Sequence, residues 1–122
     1  MQLLVKGRNL EVSDSIRRYA EQKLSKLERQ LARETRVELE LAVERNPSIT
    51  ANQIAEATIW TKGPVLRARE ASSDMKASID KLTVKLLREV KEYRDKRARR
   101  HLRHRDNPRA AGEPSDLPSL PE

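Results

Sequence analysis

The hydrophobic period of this chain changes twice, and those changes fix the kind of fold it can adopt. Ile16, Tyr19, Ala20, Leu24, Leu27 and Leu31 recur every three or four residues, which makes one apolar stripe along a helix. Between Arg36 and Glu44 the period drops to two. Val37, Leu39, Leu41 and Val43 alternate with Arg36, Glu38, Glu40 and Glu44, the pattern of a strand with one buried and one wet face. The helical period then returns in Met75, Ile79, Leu82, Leu86, Val90 and Tyr93. A helix stripe and a half-polar strand can each bury their apolar side only against another element, so the chain is expected to layer helices on a sheet.

The remaining segments complete that layout. Leu3, Val5 and Gly7 alternate with Leu4, Lys6 and Arg8 in a first strand. Ser13-Asp14-Ser15 offers short side-chain oxygens to free backbone N–H groups and opens a helix predicted over about 13–32. Asn46-Pro47-Ser48 breaks the second strand. A third strand, at about 53–62, sets Ala55, Ala57 and Ile59 against Glu56, Thr58 and Trp60. After the turn Lys62-Gly63-Pro64, Leu66 and Ala68 alternate with Val65, Arg67 and Arg69 in a fourth. Short links between strands two to four imply an antiparallel meander. Asp74 is placed to cap the last helix.

The fold class is therefore α+β, in the order β-α-β-β-β-α. It is a four-stranded sheet with two helices packed on one face, like a double-stranded-RNA-binding domain. The other face would carry Arg8, Glu38, Glu40, Trp60, Arg67 and Arg69 to water. One α/β domain with a basic C-terminal helix is expected over 1–105. Residues 106–122 contain Pro108, Gly112, Pro114, Pro118 and Pro121, and read as a disordered, Pro-rich acidic tail.

The net charge is +7, which favours an anionic partner. It is unevenly spread. Residues 1–73 hold thirteen Lys and Arg against ten Asp and Glu, residues 74–105 twelve against five, and residues 106–122 one against four. No cysteine is present, which excludes disulfides, thiolate metal sites and cysteine nucleophiles. The opening Met1-Gln2-Leu3-Leu4-Val5-Lys6-Gly7 lacks the apolar stretch of a signal peptide, so the cytoplasm is the expected location. No apolar run is long enough for a membrane span. Phosphate-binding glycine loops, HExxH and GxSxG are missing, and the carboxylates fall on a wet strand face with no pocket. An enzyme, a cofactor and a small-molecule substrate are not expected. His101 and His104 have helical i,i+3 spacing but no third ligand, so a metal site is not expected either.

The candidate binding residues are cations. At about 100° per residue, Lys81, Lys85 and Arg88 lie opposite the Ile79/Leu82/Leu86 stripe. Lys96 and Arg99 return to that sector if the helix continues, and Lys91 lies beside it. Glu92 and Asp95 also fall near it, so the face is mixed. The ordinary reading is a solvated face with i,i+4 pairs such as Lys85–Glu89 and Arg88–Glu92. The stretch from Lys96 to Arg105, including Arg97 and Arg100, holds six cations and no acid, a density that calls for an anionic counterpart. It either extends the helix or orders on binding. On the first helix Lys23 and Lys26 border the apolar stripe, where their stems can cover the seam. If the helices lie side by side, these lysines join the same patch. Trp60, one of three aromatic residues, could stack on a base, but scattered surface aromatics are common.

These residues also carry a resemblance. The run from Gly63-Pro64-Val65-Leu66-Arg67-Ala68-Arg69 through Asp74-Met75-Lys76-Ala77-Ser78-Ile79-Asp80-Lys81-Leu82 resembles the strand-turn-helix signature of ribosome hibernation promoting factors, also called ribosome-associated inhibitors. The opening is similar too, in Gly7-Arg8, Glu11-Val12-Ser13, Ile16-Arg17-Arg18-Tyr19-Ala20 and Lys23-Leu24-Ser25-Lys26-Leu27-Glu28. The likeness spans about residues 2–105. Lys76 stands where the family usually has an aromatic residue. Long members append a dimerisation domain, so this chain resembles a short-type member or the N-terminal domain of a long one. The resemblance implies binding in the decoding channel of the small ribosomal subunit, to rRNA and adjacent ribosomal proteins, which blocks mRNA and tRNA under stress. It implies rRNA contacts by Lys23, Lys26, Lys85 and Arg88. Lys81, Lys91 and Arg94 are added by geometry, and the Lys96–Arg105 extension is expected to run along further RNA. Two other readings fit the residues: a generic double-stranded-RNA binder, and a basic adaptor for an acidic protein. A membrane-surface role is disfavoured, because the basic helix has no Trp or Phe to insert.

Overall fold

Each change of period becomes a change of element. The computed structural model describes residues 1–106, with side chains for residues 1–99. The order is β1 (Gln2–Gly7), α1 (Asp14–Leu24), a 3-10 turn (Ser25–Leu27), β2 (Arg36–Val43), β3 (Gln53–Trp60), β4 (Val65–Ser72) and α2 (Met75–Asp106). The strands form one mixed sheet in the order β1-β2-β3-β4. Strands β2, β3 and β4 are the expected antiparallel meander, with Leu39 opposite Ala57 and Ala57 opposite Ala68. Strand β1 pairs in parallel with β2, Val5 beside Leu39. The intervening α1 makes this possible, because parallel neighbours need a crossover connection.

The core is the apolar face of that sheet together with both helix stripes. Val5, Val37, Leu39, Leu41, Ala55, Ala57, Ile59 and Ala68 meet Ala20, Leu24, Leu27, Ile79, Leu82, Leu86 and Val90 in one cluster. Among the described residues, Leu24, Leu27, Leu39, Leu41, Ile59, Ile79, Leu82 and Leu86 are fully buried. Burying each large aliphatic one contributes about 1.5–3 kcal/mol before chain entropy is counted.

The first helix is shorter than its stripe. The apolar spacing predicts about 13–32, but α1 ends at Leu24 and tightens into the 3-10 turn. Ser25 explains part of this. Its hydroxyl donates to the Gln22 carbonyl at 2.6 Å, a local bond that competes with regular helix geometry. The backbone N–H groups of Glu28 and Gln30 then bond three residues back, to Ser25 and Leu27. Three residues per turn aligns Leu24 with Leu27, and both are fully buried. The three-residue spacing of Leu24 and Leu27 satisfies either geometry.

The caps form as expected. Ser13 Oγ accepts from the Ile16 N–H at 3.2 Å, and Asp74 Oδ2 accepts from the Ala77 N–H at 3.1 Å. β3 stops at Trp60, two residues short of the expected end. Thr61 Oγ1 accepts from the Gly63 N–H and donates to the Pro64 carbonyl, which draws Thr61 into the turn. Gly7 is the last residue of β1, and only glycine fits there, since a Cβ would lie 1.9 Å from the Leu10 carbonyl oxygen. The stretch from Lys96 to Arg105 continues the helix. The predicted acidic tail lies outside the described residues, apart from Asp106, which is helical. The chain divides into two units, Met1–Val90 and one beginning at Lys91, so α2 contributes to each.

Candidate nucleic-acid interface

In the first unit, α2 turns Lys81 and Arg88 fully outward, with Lys85 half-buried between them in sequence. Neither Lys81 nor Arg88 has a hydrogen bond or ion pair among the described residues. Lys85 does not pair with Glu89. Its Nζ lies 3.6 Å from Glu70 Oε2. Glu70 sits opposite Ala55 on β4, on the helix-covered side of the sheet. The intrahelical pair was the local expectation, and a carboxylate from a neighbouring strand competes with it.

The two helices lie side by side at Tyr19. Its hydroxyl donates to Asp80 Oδ1 on α2 at 2.6 Å. Lys23 Nζ stands 3.5 Å from the same oxygen and 5.5 Å from the Tyr19 ring centre, and Lys76 Nζ 5.3 Å from that ring. Lys23 on α1 and Lys76 on α2 thus share one aromatic ring. The bond to Asp80 pushes the Tyr19 hydroxyl above its ordinary value, with burial and the charges of Asp80 and Asp74 adding in the same direction. Lys26 is exposed on the 3-10 turn. Lys23 is therefore held, while Lys26, Lys81 and Arg88 are presented.

Arg17, also on α1, faces another way. Its Nη1 donates to the Val5 carbonyl at 2.8 Å, which satisfies an acceptor on edge strand β1. It fastens the helix to the sheet. The sequence gives no sign of this bond, since it joins residues twelve apart through a backbone atom. Tyr19, Asp80 and Glu70 were missed for the same reason. Tyr19 counts as one more apolar position in its stripe, and its hydroxyl partner lies 61 residues away.

In the second unit, Lys91 Nζ pairs with Asp95 at 3.3 Å, and Arg97 Nη1 donates to the Tyr93 hydroxyl at 3.3 Å. Arg94, Lys96, Arg97 and Arg99 are exposed on the helix. Arg100 lies on the helix beyond the described side chains.

The open face of the sheet is organised by ion pairs. Lys6 meets Glu38 at 3.0 Å, Arg36 meets Glu38 at 3.2 Å, and Arg8 meets Glu40 at 2.7 Å and Glu56 at 3.6 Å. Glu40 and Glu56 face each other directly across the strands, and Arg8 offsets that repulsion. The hydrogen bond and charge of Lys6, aided by Arg36, hold the Glu38 carboxyl below its ordinary value against partial burial. Trp60 lies on this face, with the Arg36 guanidinium 4.9 Å from its ring centre. Among the described residues no three His, Asp or Glu side chains are grouped to hold a metal, and no helix is long and apolar enough to cross a membrane.

Comparison with known proteins adds a lineage to this geometry. The sequence model of the family described as sigma 54 modulation protein / S30EA ribosomal protein matches residues 3–98. The chain is 38% identical over 97 residues to a ribosome hibernation promotion factor of Picosynechococcus, covering 79% of this chain and 50% of that protein. It is 36% identical over 100 residues to a ribosome hibernation promoting factor of Azotobacter vinelandii, covering 82% of this chain and 89% of that one. The chain thus spans half the length of the first relative and most of the second. Among solved structures, the N-terminal domain of Thermus thermophilus Protein Y aligns with a TM-score of 0.65 at 31% identity, over 76% of this chain and 99% of that domain. A ribosomal subunit interface protein from Coxiella burnetii aligns at 0.66 and 19% identity, over 78% and 99%, a likeness of fold alone.

Proposed function

This chain belongs to the sigma 54 modulation protein / S30EA ribosomal protein family, the family of the ribosome hibernation promoting factors, and from that premise we propose that it silences ribosomes by occupying the decoding channel of the small subunit. There it contacts rRNA and blocks mRNA and tRNA. The observation that carries the reading is the outward row of Lys81 and Arg88 on α2, in one unit with Lys26 on the 3-10 turn and the Tyr19-held Lys23 on α1. Lys81 and Arg88, exposed and without a partner among the described residues, sit on a helix fixed by the core and can meet phosphates with little reordering.

The assigned contacts are Lys23, Lys26, Lys81, Lys85 and Arg88 in the first unit. Lys91, Arg94, Lys96, Arg97, Arg99 and Arg100 supply a second set farther along α2. Arginines suit this task because their planar forks take phosphate oxygens two at a time. Such contacts position a protein without reading sequence, so recognition rests on the shape of the channel. The action is occupancy and involves no catalysis. It takes place wherever assembled ribosomes are found, which in a bacterium is the cytoplasm.

Co-sedimentation with ribosomes and separated subunits, at low and moderate salt, tests this. Saturable binding to the small subunit is expected, and it should be lost when mRNA and tRNA already fill the channel. Binding that ignores occupancy, or is tighter to simple RNA duplexes than to subunits, would replace this reading with that of a generic duplex-RNA binder. Binding that survives nuclease treatment unchanged would point to a protein adaptor.

A further inference from the structure

The sheet face turned away from the helices has two halves that differ in charge balance. On one half Lys6 and Arg8 stand among Glu38, Glu40 and Glu56, and Arg36 at the border supplies the third cation that balances them. On the other, the register places Arg36, Trp60 and Val65 side by side across β2, β3 and β4, and Thr58 beside Arg67 in the next row. Arg69 follows Arg67 on the same side of β4, opposite Glu56. Arg67 and Arg69 are exposed, and neither has a hydrogen bond or ion pair among the described residues. Every carboxylate of the face is engaged by Lys6, Arg8 or Arg36, so the uncompensated charge is positive and belongs to β4.

Beside those two cations lies open apolar surface. Val65 is 48% exposed and Trp60 36% exposed. The Arg36 guanidinium lies over the Trp60 ring, 4.9 Å from its centre, so ring and guanidinium form one stack whose outer guanidinium plane can itself stack on a base. An aromatic platform flanked by free cations is the pairing that single-stranded nucleic acid uses. Bases stack on the ring, and phosphates meet the charges. Successive outward residues on a strand stand about 6.7 Å apart, so Arg67 and Arg69 can each meet a different phosphate of an extended strand. A second copy of this chain would bring the same excess of cations to the contact.

We propose that this half of the sheet is a second nucleic-acid contact, separate from the helix row. It takes a short single-stranded segment, with one base on the Trp60–Arg36 platform and the phosphates on Arg67 and Arg69. The inference is independent of where on a ribosome the helices bind.

Trp60 is the sole tryptophan, so its emission reports directly on this surface. The full chain is titrated with octauridylate, octaadenylate and inorganic polyphosphate. Saturable quenching by the oligonucleotides and none by polyphosphate is expected. R67A/R69A should weaken that binding about ten-fold or more while leaving the circular dichroism spectrum unchanged, and the helix variant K81E/R88E should keep the quench. Trp60→Phe should retain oligonucleotide binding in a gel-shift assay, and Trp60→Ala should lose about ten-fold. Quenching that polyphosphate reproduces, or that is lost in K81E/R88E and kept in R67A/R69A, would overturn the proposal. So would emission that changes with protein concentration alone, which would mean that a second copy covers the face. Ribosome co-sedimentation by the unaltered chain decides the hibernation reading separately.

Discussion

The ammonium of Lys85 lies 3.6 Å from the Glu70 carboxylate, and the two side chains are 39% and 30% exposed. An ion pair this wet contributes about 0–1 kcal/mol to stability. For the proposed rRNA contact its cost is larger in relative terms, because a carboxylate beside Lys85 repels any phosphate that approaches. E70Q should therefore change denaturant stability by less than about 1 kcal/mol and raise RNA affinity about two- to three-fold at low salt. Unchanged affinity would remove Lys85 from the contact. Tyr19 offers a second test. Asp80 raises its hydroxyl above the ordinary value of 10.0. A group raised in the folded state lends stability that is complete below its unfolded value and is lost as pH climbs through the folded one. Absorbance at 295 nm should show one tyrosine ionising late. D80N should bring that titration earlier and weaken the alkaline limb of the stability profile; an unaltered curve would mean that the Tyr19–Asp80 bond is not formed in solution. Gly7 was legible only as an alternating position. The carbonyl of Leu10 in the space of its Cβ makes it obligatory, and Gly7→Ala should cost about 2 kcal/mol or more by chemical denaturation.

At the scale of elements, periodicity located every strand and both helices, because each buries one side and leaves the other wet. It did not fix how they end or pair. Leu24 and Leu27 keep a spacing that both helix types satisfy, and the Ser25 hydroxyl bond to Gln22 lies behind part of the change of geometry. Nor does alternation in β1 reveal a parallel partner. That follows from α1 lying between β1 and β2, and from pairing that begins with the Gln2 N–H on the Thr35 carbonyl. The start of α2 was legible, since Asp74 is a standard cap, but its reinforcement was not. Ser78, fully buried, bonds to the Gln53 carbonyl at 2.5 Å and lies 3.0 Å from Ser72 Oγ, which joins helix, β3 and β4 at one point. Asp74→Ala should therefore cost about 1 kcal/mol, the usual worth of a cap. Ser78→Ala should cost as much or more, because it removes a fully buried hydroxyl that donates to a strand carbonyl. Thermal melts of the two variants decide the order; a harmless Ser78→Ala would mean that the Gln53 carbonyl has another donor.

For the whole molecule, the cationic sequence blocks marked the binding candidates, yet which cations are free emerged only from the tertiary structure. Lys23 leans on Tyr19 and Asp80, Lys85 on Glu70, and Lys91 on Asp95, while Lys81, Arg88, Lys96 and Arg99 face water. Charge distribution alone could not make that division, because ion pairs between elements depend on packing. It has a thermodynamic signature. Every cation that meets a phosphate releases counterions, and the logarithm of affinity falls with the logarithm of salt by about 0.7–0.9 per contact. K81A/R88A should reduce the magnitude of that slope for small-subunit binding by about 1.4–1.8, and K96A/R99A by a similar amount. The two pairs share no partner among the described residues, so their losses should add in the fourfold variant. The Lys23 contribution should resist salt more, since Tyr19 and Asp80 already hold the ammonium in place. Affinities at four or five salt concentrations measure each slope. If K81A/R88A lowers affinity but leaves the slope intact, those residues meet something other than phosphate, and the protein-adaptor reading gains the ground that the rRNA reading loses.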